Sequence, residues 1–136
     1  MILTLEFKVM PVAHQSFKIG RNGIKYKPKK IKDYQEHIKH LTKHQLPDDF
    51  TMIPAGTPIK INYLHYVFAY LKSMPKYLRE EGLQKTTKPD LHDNLNKALL
   101  DAFEGLIYEQ DQNICEIKNI KKYYSDEDSI RIQFEW

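Results

Sequence analysis

The chain has 136 residues, of which 41% are apolar and 29% charged, a composition that excludes a disordered chain and fits a single domain with one core. Its one cysteine, Cys115, excludes an internal disulfide and a multi-cysteine zinc site. At this length, folding buries about two-thirds of the unfolded surface, so neither staple is needed.

In chain order, residues 2–10 alternate apolar and polar and predict a strand that Pro11 ends. Glu6 and Lys8 interrupt the apolar character of this stretch, which is not that of a secretory leader, and no segment has the length of a membrane span. A cytoplasmic protein without a membrane partner is expected. The net charge of +3 says little by itself, but its distribution is informative. Lys18, Arg21, Lys25, Lys27, Lys29, Lys30 and Lys32 lie in one acid-free stretch, an electrostatic footprint for phosphate if it is more than a solubilising loop. Residues 16–27 predict two extended pieces turning at Arg21-Asn22-Gly23, because Asn-Gly tolerates the positive φ of a tight hairpin. The basic residues would then stand on an arm spanning about residues 14–30.

Pro28 opens a predicted helix to about His44, with Ile31, Tyr34, Ile38 and Leu41 on one face. Residues 45–57 read as loop. Residues 58–70 predict a long strand in which Ile59, Ile61, Tyr63, His65 and Val67 share a face; His65 reads as a packed strand histidine. Residues 74–89 are irregular. A helix is predicted over about 91–104, with Leu95, Ala98, Leu99, Ala102, Phe103 and Leu106 as its buried stripe and Gly105 closing it. Two strands, about 114–124 and 128–135, are expected to form a hairpin through Ser125-Asp126-Glu127-Asp128, with Cys115 half-buried in the first. The order predicts an α+β fold: a small single domain with a mixed sheet and its helices on one face.

Residues 88–114 carry the chemistry. Asp90 and Asp93 lie at the start of the second helix and Asp111 beyond its end, at the mouth of the next strand. Hydrolytic cleavage of a phosphodiester needs hard oxygen ligands for Mg2+, which keeps several waters and takes few protein carboxylates. The ion polarises the ester and lowers the pKa of a bound water. Lys97, four residues after Asp93, shares its helix face and can balance charge on the phosphoryl oxygens. The structural alternative is plain. Asp90 and Asp93 can cap a helix and complement its dipole, and Asp93, Lys97 and Asp101 can form a solvated ion-pair ladder.

Lys88-Pro89-Asp90, Asp93-Asn94-Leu95, Lys97, Asp101-Ala102, Gly105 and Asp111 together resemble the signature of the RusA family of Holliday junction resolvases. The basic stretch ending in Gly23-Ile24-Lys25-Tyr26-Lys27-Pro28-Lys29 is similar to that family's N-terminal region. The resemblance implies a homodimeric α+β endonuclease of a bacterial or phage-infected cell, often encoded in prophages. It would cut four-way DNA junctions symmetrically with Mg2+, or Mn2+ as a substitute, and no small-molecule cofactor. It implies Asp90, Asp93 and Asp111 as metal ligands and Lys97 as the catalytic lysine, with Lys18, Arg21, Lys25, Lys27, Lys29 and Lys30 meeting DNA. Phe17, Tyr26, Tyr34 and the tyrosines of 63–70 are candidates for stacking on unpaired bases, or else packing residues.

The chain departs from the family pattern twice. Leu91 and His92 both stand between the first two acids, where the family has one residue; the extra residue is assigned here to the loop before Asp93. His92 is a poor ligand for Mg2+. The later acid pair reads Gln110-Asp111, with Glu109 expected on the face of Asp111 by strand alternation. These departures leave open a non-catalytic protein that binds branched DNA with an impaired metal site, or an interaction protein whose acids only cap a helix.

Overall fold

A computed structural model describes residues 1–13 and 18–136. Strand β1, Ile2–Phe7, is shorter than its alternating pattern, and buries Leu3, Leu5 and Phe7 while Ile2, Thr4 and Glu6 face solvent. Strands β2, Lys18–Ile19, and β3, Lys25–Tyr26, pair antiparallel as the expected arm. Its turn differs in detail. The Gly23 N–H donates to the Gly20 carbonyl at 3.0 Å and only Gly23 of the Asn-Gly pair has positive φ, at 77°. The arm thus turns through three residues with glycine in the left-handed position, not through a two-residue turn. Residues 14–17 of the expected arm, Phe17 included, lie outside the described residues.

Helix α1, Lys29–Gln45, buries Ile31, Tyr34 and Ile38 as its periodicity predicts. Strand β4, Ile59–Ala69, is the centre of a five-stranded sheet. Its alternation does not run unbroken: the pairing with β7 shifts between Ile61 and Tyr63. A bulge there adds one residue, so Ile59 and Ile61 share the buried face with Leu64, Tyr66 and Phe68, and Tyr63 and His65 turn to the other side. His65 is half-buried, with its Nδ1 3.2 Å from the Tyr123 hydroxyl.

The second helical segment is composite: a π-helical turn over Leu91–Leu95 runs into α2, Asn96–Phe103. The strand expected over 114–124 breaks at Lys118-Asn119 into β5, Ile114–Ile117, and β6, Ile120–Ser125. Asn119 holds the break with φ of 51° and donates from its amide to the Asn62 carbonyl at 3.1 Å, beside the bulge. Both β5 and β6 run parallel to β4. Cys115 is exposed, not half-buried; β5 is a short strand at the sheet edge with three of its four residues exposed.

Strand β7, Ser129–Glu135, lies between β1 and β4 and is antiparallel to both. The expected hairpin of the last two strands is therefore wrong: β6 and β7 flank β4 on opposite sides. The connection passes around the end of β4, where Asp128 Oδ1 accepts the Ala69 N–H at 2.8 Å. The sheet is mixed, as an α+β domain allows. Both helices contribute to a single apolar cluster with the inner face of the sheet. Phe103 of α2 meets Phe7 of β1 and Phe134 of β7, with ring centroids 6.0 and 5.6 Å apart.

Candidate active site

The site is built on the π turn and α2. The Leu95 N–H donates to the Asp90 carbonyl, five residues back, at 3.2 Å. That bond widens the first turn by one residue. The extra residue relative to the family spacing therefore sits inside a helical turn, not in a loop before it. Single π turns of this kind are rare and frequently found at functional sites.

Asp90 occupies the N-cap position, with extended backbone, but its side chain makes no capping bond. Asp90 and Asp93 are both exposed. Neither Asp93 nor Lys97, also exposed, is in an ion pair among the described residues. The carboxylates at this helix start are thus not consumed by the cap that their positions suggested, nor does Lys97 pair with Asp93.

Asp111 arrives from the other end of α2. It opens a 3-10 turn, Asp111–Asn113, ahead of β5. Its N–H donates to Glu104 Oε1 at 2.8 Å, and Glu104 is the residue that ends α2. Because Asp111 starts a turn, strand alternation does not govern how it and Glu109 are placed. Burial, and then the charges of Asp111, Glu104 and Asp101, hold the phenol of Tyr108 above its usual range. Its hydroxyl donates to the Leu100 carbonyl at 2.6 Å. Among the described residues, no group of three or more His, Cys, Asp or Glu side chains is close enough to hold a metal ion.

Several residues that support the site have no signal in the sequence. Lys122 Nζ donates to the carbonyls of Thr87 and Pro89, at 2.7 and 2.6 Å, and ties the segment entering Asp90 to β6. The hydroxyl of Tyr66, fully buried on β4, donates to Asn96 Oδ1 at 2.9 Å and fixes the first residue of α2. Gln35 of α1 donates to the Ala98 carbonyl at 2.9 Å from a buried position. Each partner lies at least 30 residues away, beyond the reach of local pattern.

Of the basic residues, Arg21, Lys25, Lys27, Lys29 and Lys30 are exposed, and none is in an ion pair among the described residues. Lys27 Nζ donates to Gln35 Oε1 at 2.6 Å, which anchors the base of the arm to α1. The side chain of Lys18 is outside the described residues. Among the stacking candidates, Tyr34 and Tyr66 are buried and belong to the core, whereas Tyr26 is exposed and Tyr63 and Tyr70 half-buried.

The family model described as endodeoxyribonuclease RusA matches residues 6–135. A relative, the uncharacterized protein YqaN of Bacillus subtilis (strain 168), is 27% identical over 106 residues, which cover 77% of this chain and 73% of YqaN.

Proposed function

The chain belongs to the RusA endodeoxyribonuclease family, and from that membership we propose that it is a Mg2+-dependent, structure-specific nuclease that resolves four-way DNA junctions. It acts as a homodimer in recombination and repair, in the cytoplasm of a bacterial or phage-infected cell, and is of phage or prophage origin. A twofold dimer matches the two symmetric cuts that resolution requires. The observation that carries the reading is the π-helical entrance of α2, which leaves Asp90 and Asp93 exposed with no capping bond from Asp90. An interaction protein whose acids serve as caps would use that side chain otherwise.

The donor set suits the ion. Carboxylate oxygens are hard ligands, and Mg2+ is commonly held by one or two of them, with waters and substrate phosphates completing the shell. Asp90, Asp93 and Asp111 are the carboxylates that would hold it, once drawn closer together than they stand among the described residues; when bound, it would supply Lewis-acid polarisation of the phosphodiester and a more acidic water. Lys97 places an ammonium beside the phosphoryl oxygens, where charge builds in the transition state. Glu104 keeps Asp111 in position through its amide.

The absence of a three-acid group among the described residues favours a second reading, a protein that binds branched DNA without cutting it. A nicking assay on a synthetic four-way junction beside linear duplex, with and without Mg2+, separates the two. Paired nicks in the junction that require the metal are expected. Tight junction binding with no nick in Mg2+ or Mn2+ establishes the second reading instead.

The arm makes its own prediction. Every phosphate that a lysine neutralises adds about 0.9 to the slope of log affinity against log salt. Lys25→Ala combined with Lys29→Ala is expected to flatten that slope by up to about 1.8, with similar weakening on junction and duplex. An unchanged slope in an anisotropy titration takes the arm out of the DNA interface.

A further inference from the structure

The segment leading into Asp90 forms part of the wall of a cleft that none of the three candidate metal-binding aspartates lines. It has a volume of about 580 Å³ and is bounded by Val12, the end of β4 at Phe68 and Ala69 with the residues that follow it to Lys72, Lys88-Pro89 and Tyr124. That volume falls within the roughly 300–1,000 Å³ of sites that take small organic groups. Its aromatic shelf is ordered: the Tyr70 and Tyr124 rings stack at 6.1 Å with 20° between their planes. Phe68 and Tyr124 are 8% and 5% exposed, so they belong to the packed floor beneath the cleft and not to its rim. Lys85 Nζ stands 5.0 Å from the Phe68 and Tyr124 ring centroids and donates to the Tyr124 hydroxyl at 3.2 Å and to Thr87 Oγ1 at 2.8 Å.

The charge is one-sided. Lys30, Lys72, Lys85 and Lys88 reach the lining against a single acid, Asp128, whose Oδ1 is already bonded to the Ala69 N–H. An apolar partner alone would not call for four lysines, and a duplex backbone alone would not call for a recessed aromatic floor. Flat rings beneath a ring of cations are the complement of a single nucleotide, with a π face and a phosphate. Pro89 in the cleft wall directly precedes Asp90, so whatever occupies the cleft lies next to the segment that carries this carboxylate.

On the reading of this chain as a nuclease of branched DNA, we propose that the cleft takes one unstacked nucleotide from the branch point, base on the Tyr70–Tyr124 shelf and phosphate among the lysines. Unstacking costs least where pairing is already broken. The cleft would therefore select a branch point over continuous duplex and bring the neighbouring phosphodiester towards Asp90. Selection for the branch and position of the cut would come from the same interaction.

The test is a four-way junction carrying 2-aminopurine at the nucleotide next to the crossover, titrated with the full chain in EDTA. A second junction with the probe well inside one arm serves as control. Emission at the crossover is expected to change at least about twofold on binding, with the arm probe unmoved. Tyr70→Ala combined with Lys85→Met should abolish the change and reduce the preference for junction over duplex about tenfold, the loss of one stacked base. Tyr70→Phe should keep both, which separates loss of stacking from loss of fold. Tight, salt-sensitive junction binding with no change at the crossover probe, or the same change in the double variant, overturns the cleft assignment and leaves the nuclease reading standing. Equal affinity for junction and duplex in the parent chain overturns both.

Discussion

Asp93→Asn and Asp111→Asn should each reduce Mg2+-dependent nicking of a four-way junction by about 10³-fold or more, with junction affinity and melting temperature close to the parent's. Losing a single preorganised electrostatic interaction with a reacting oxygen typically costs about 10²–10³ in rate, and a missing metal ligand removes that interaction and the ion together. The expectation of unchanged stability is equally specific. Asp93 is exposed and in no ion pair among the described residues. Asp111 is also exposed, and the bond that positions it uses its backbone N–H, which the change leaves intact. Surface changes without such ties stay within about 0.5 kcal/mol. Single-turnover nicking, anisotropy and a thermal melt on each variant make the measurement. Nicking that survives both changes removes these acids from the reaction. A large drop in melting temperature shows instead that they hold the helix.

Why the periodic elements could be read from the sequence but the strand pairing and the bonds around the candidate acids could not is a matter of range. Strand β1 and helices α1 and α2 announce themselves because burial on one face imposes a period on neighbouring residues. Leu3, Leu5 and Phe7 fall inside by alternation, and Leu95, Ala98, Leu99, Ala102 and Phe103 by helical spacing. The pairing of strands leaves no such trace. Ser125-Asp126-Glu127-Asp128 has the residues of a hairpin turn, yet β4 lies between the strands it joins, because the long apolar central strand is paired from both sides. The bulge near Asn62 escapes for a related reason: one added residue exchanges the faces while the types on either side stay β-branched and aromatic.

The π turn is the subtler case. Comparison with the family motif detects one residue too many between Asp90 and Asp93. Composition does not say whether that residue loops out or widens the helix. The bond from the Leu95 N–H to the Asp90 carbonyl decides it. On the nuclease reading the distinction matters, since a widened turn keeps Asp90 attached to the helix that carries Asp93 and Lys97, where a loop would not. Glu104 and Lys122 escape a reading of the sequence because each acts on a backbone group, Asp111 N–H in one case and the Thr87 and Pro89 carbonyls in the other. Such bonds place no demand on a neighbouring side chain that pattern could detect.

The opposite dissociation is expected for Phe103→Ala. Phe103 has no exposed surface and packs from α2 over the paired strands β1 and β7, against Phe7 and Phe134. Truncating a buried aromatic ring costs about 3–5 kcal/mol, through lost transfer energy and the cavity left behind. Against a typical total stability of about 5–15 kcal/mol that is a large fraction, and it should lower the melting temperature by about 10–20 °C. Phe103→Leu, which keeps most of the volume, should cost under about 1.5 kcal/mol. Neither change touches a carboxylate, so nicking per folded molecule, measured well below the melting range, should match the parent. If Phe103→Ala lost nicking at full foldedness, packing under α2 would be setting the position of the acids, and the rigid helix start at Asp90 would not suffice to hold them. If it kept its melting temperature, the apolar cluster would close over the gap, and the sheet rather than α2 would carry the stability of the domain.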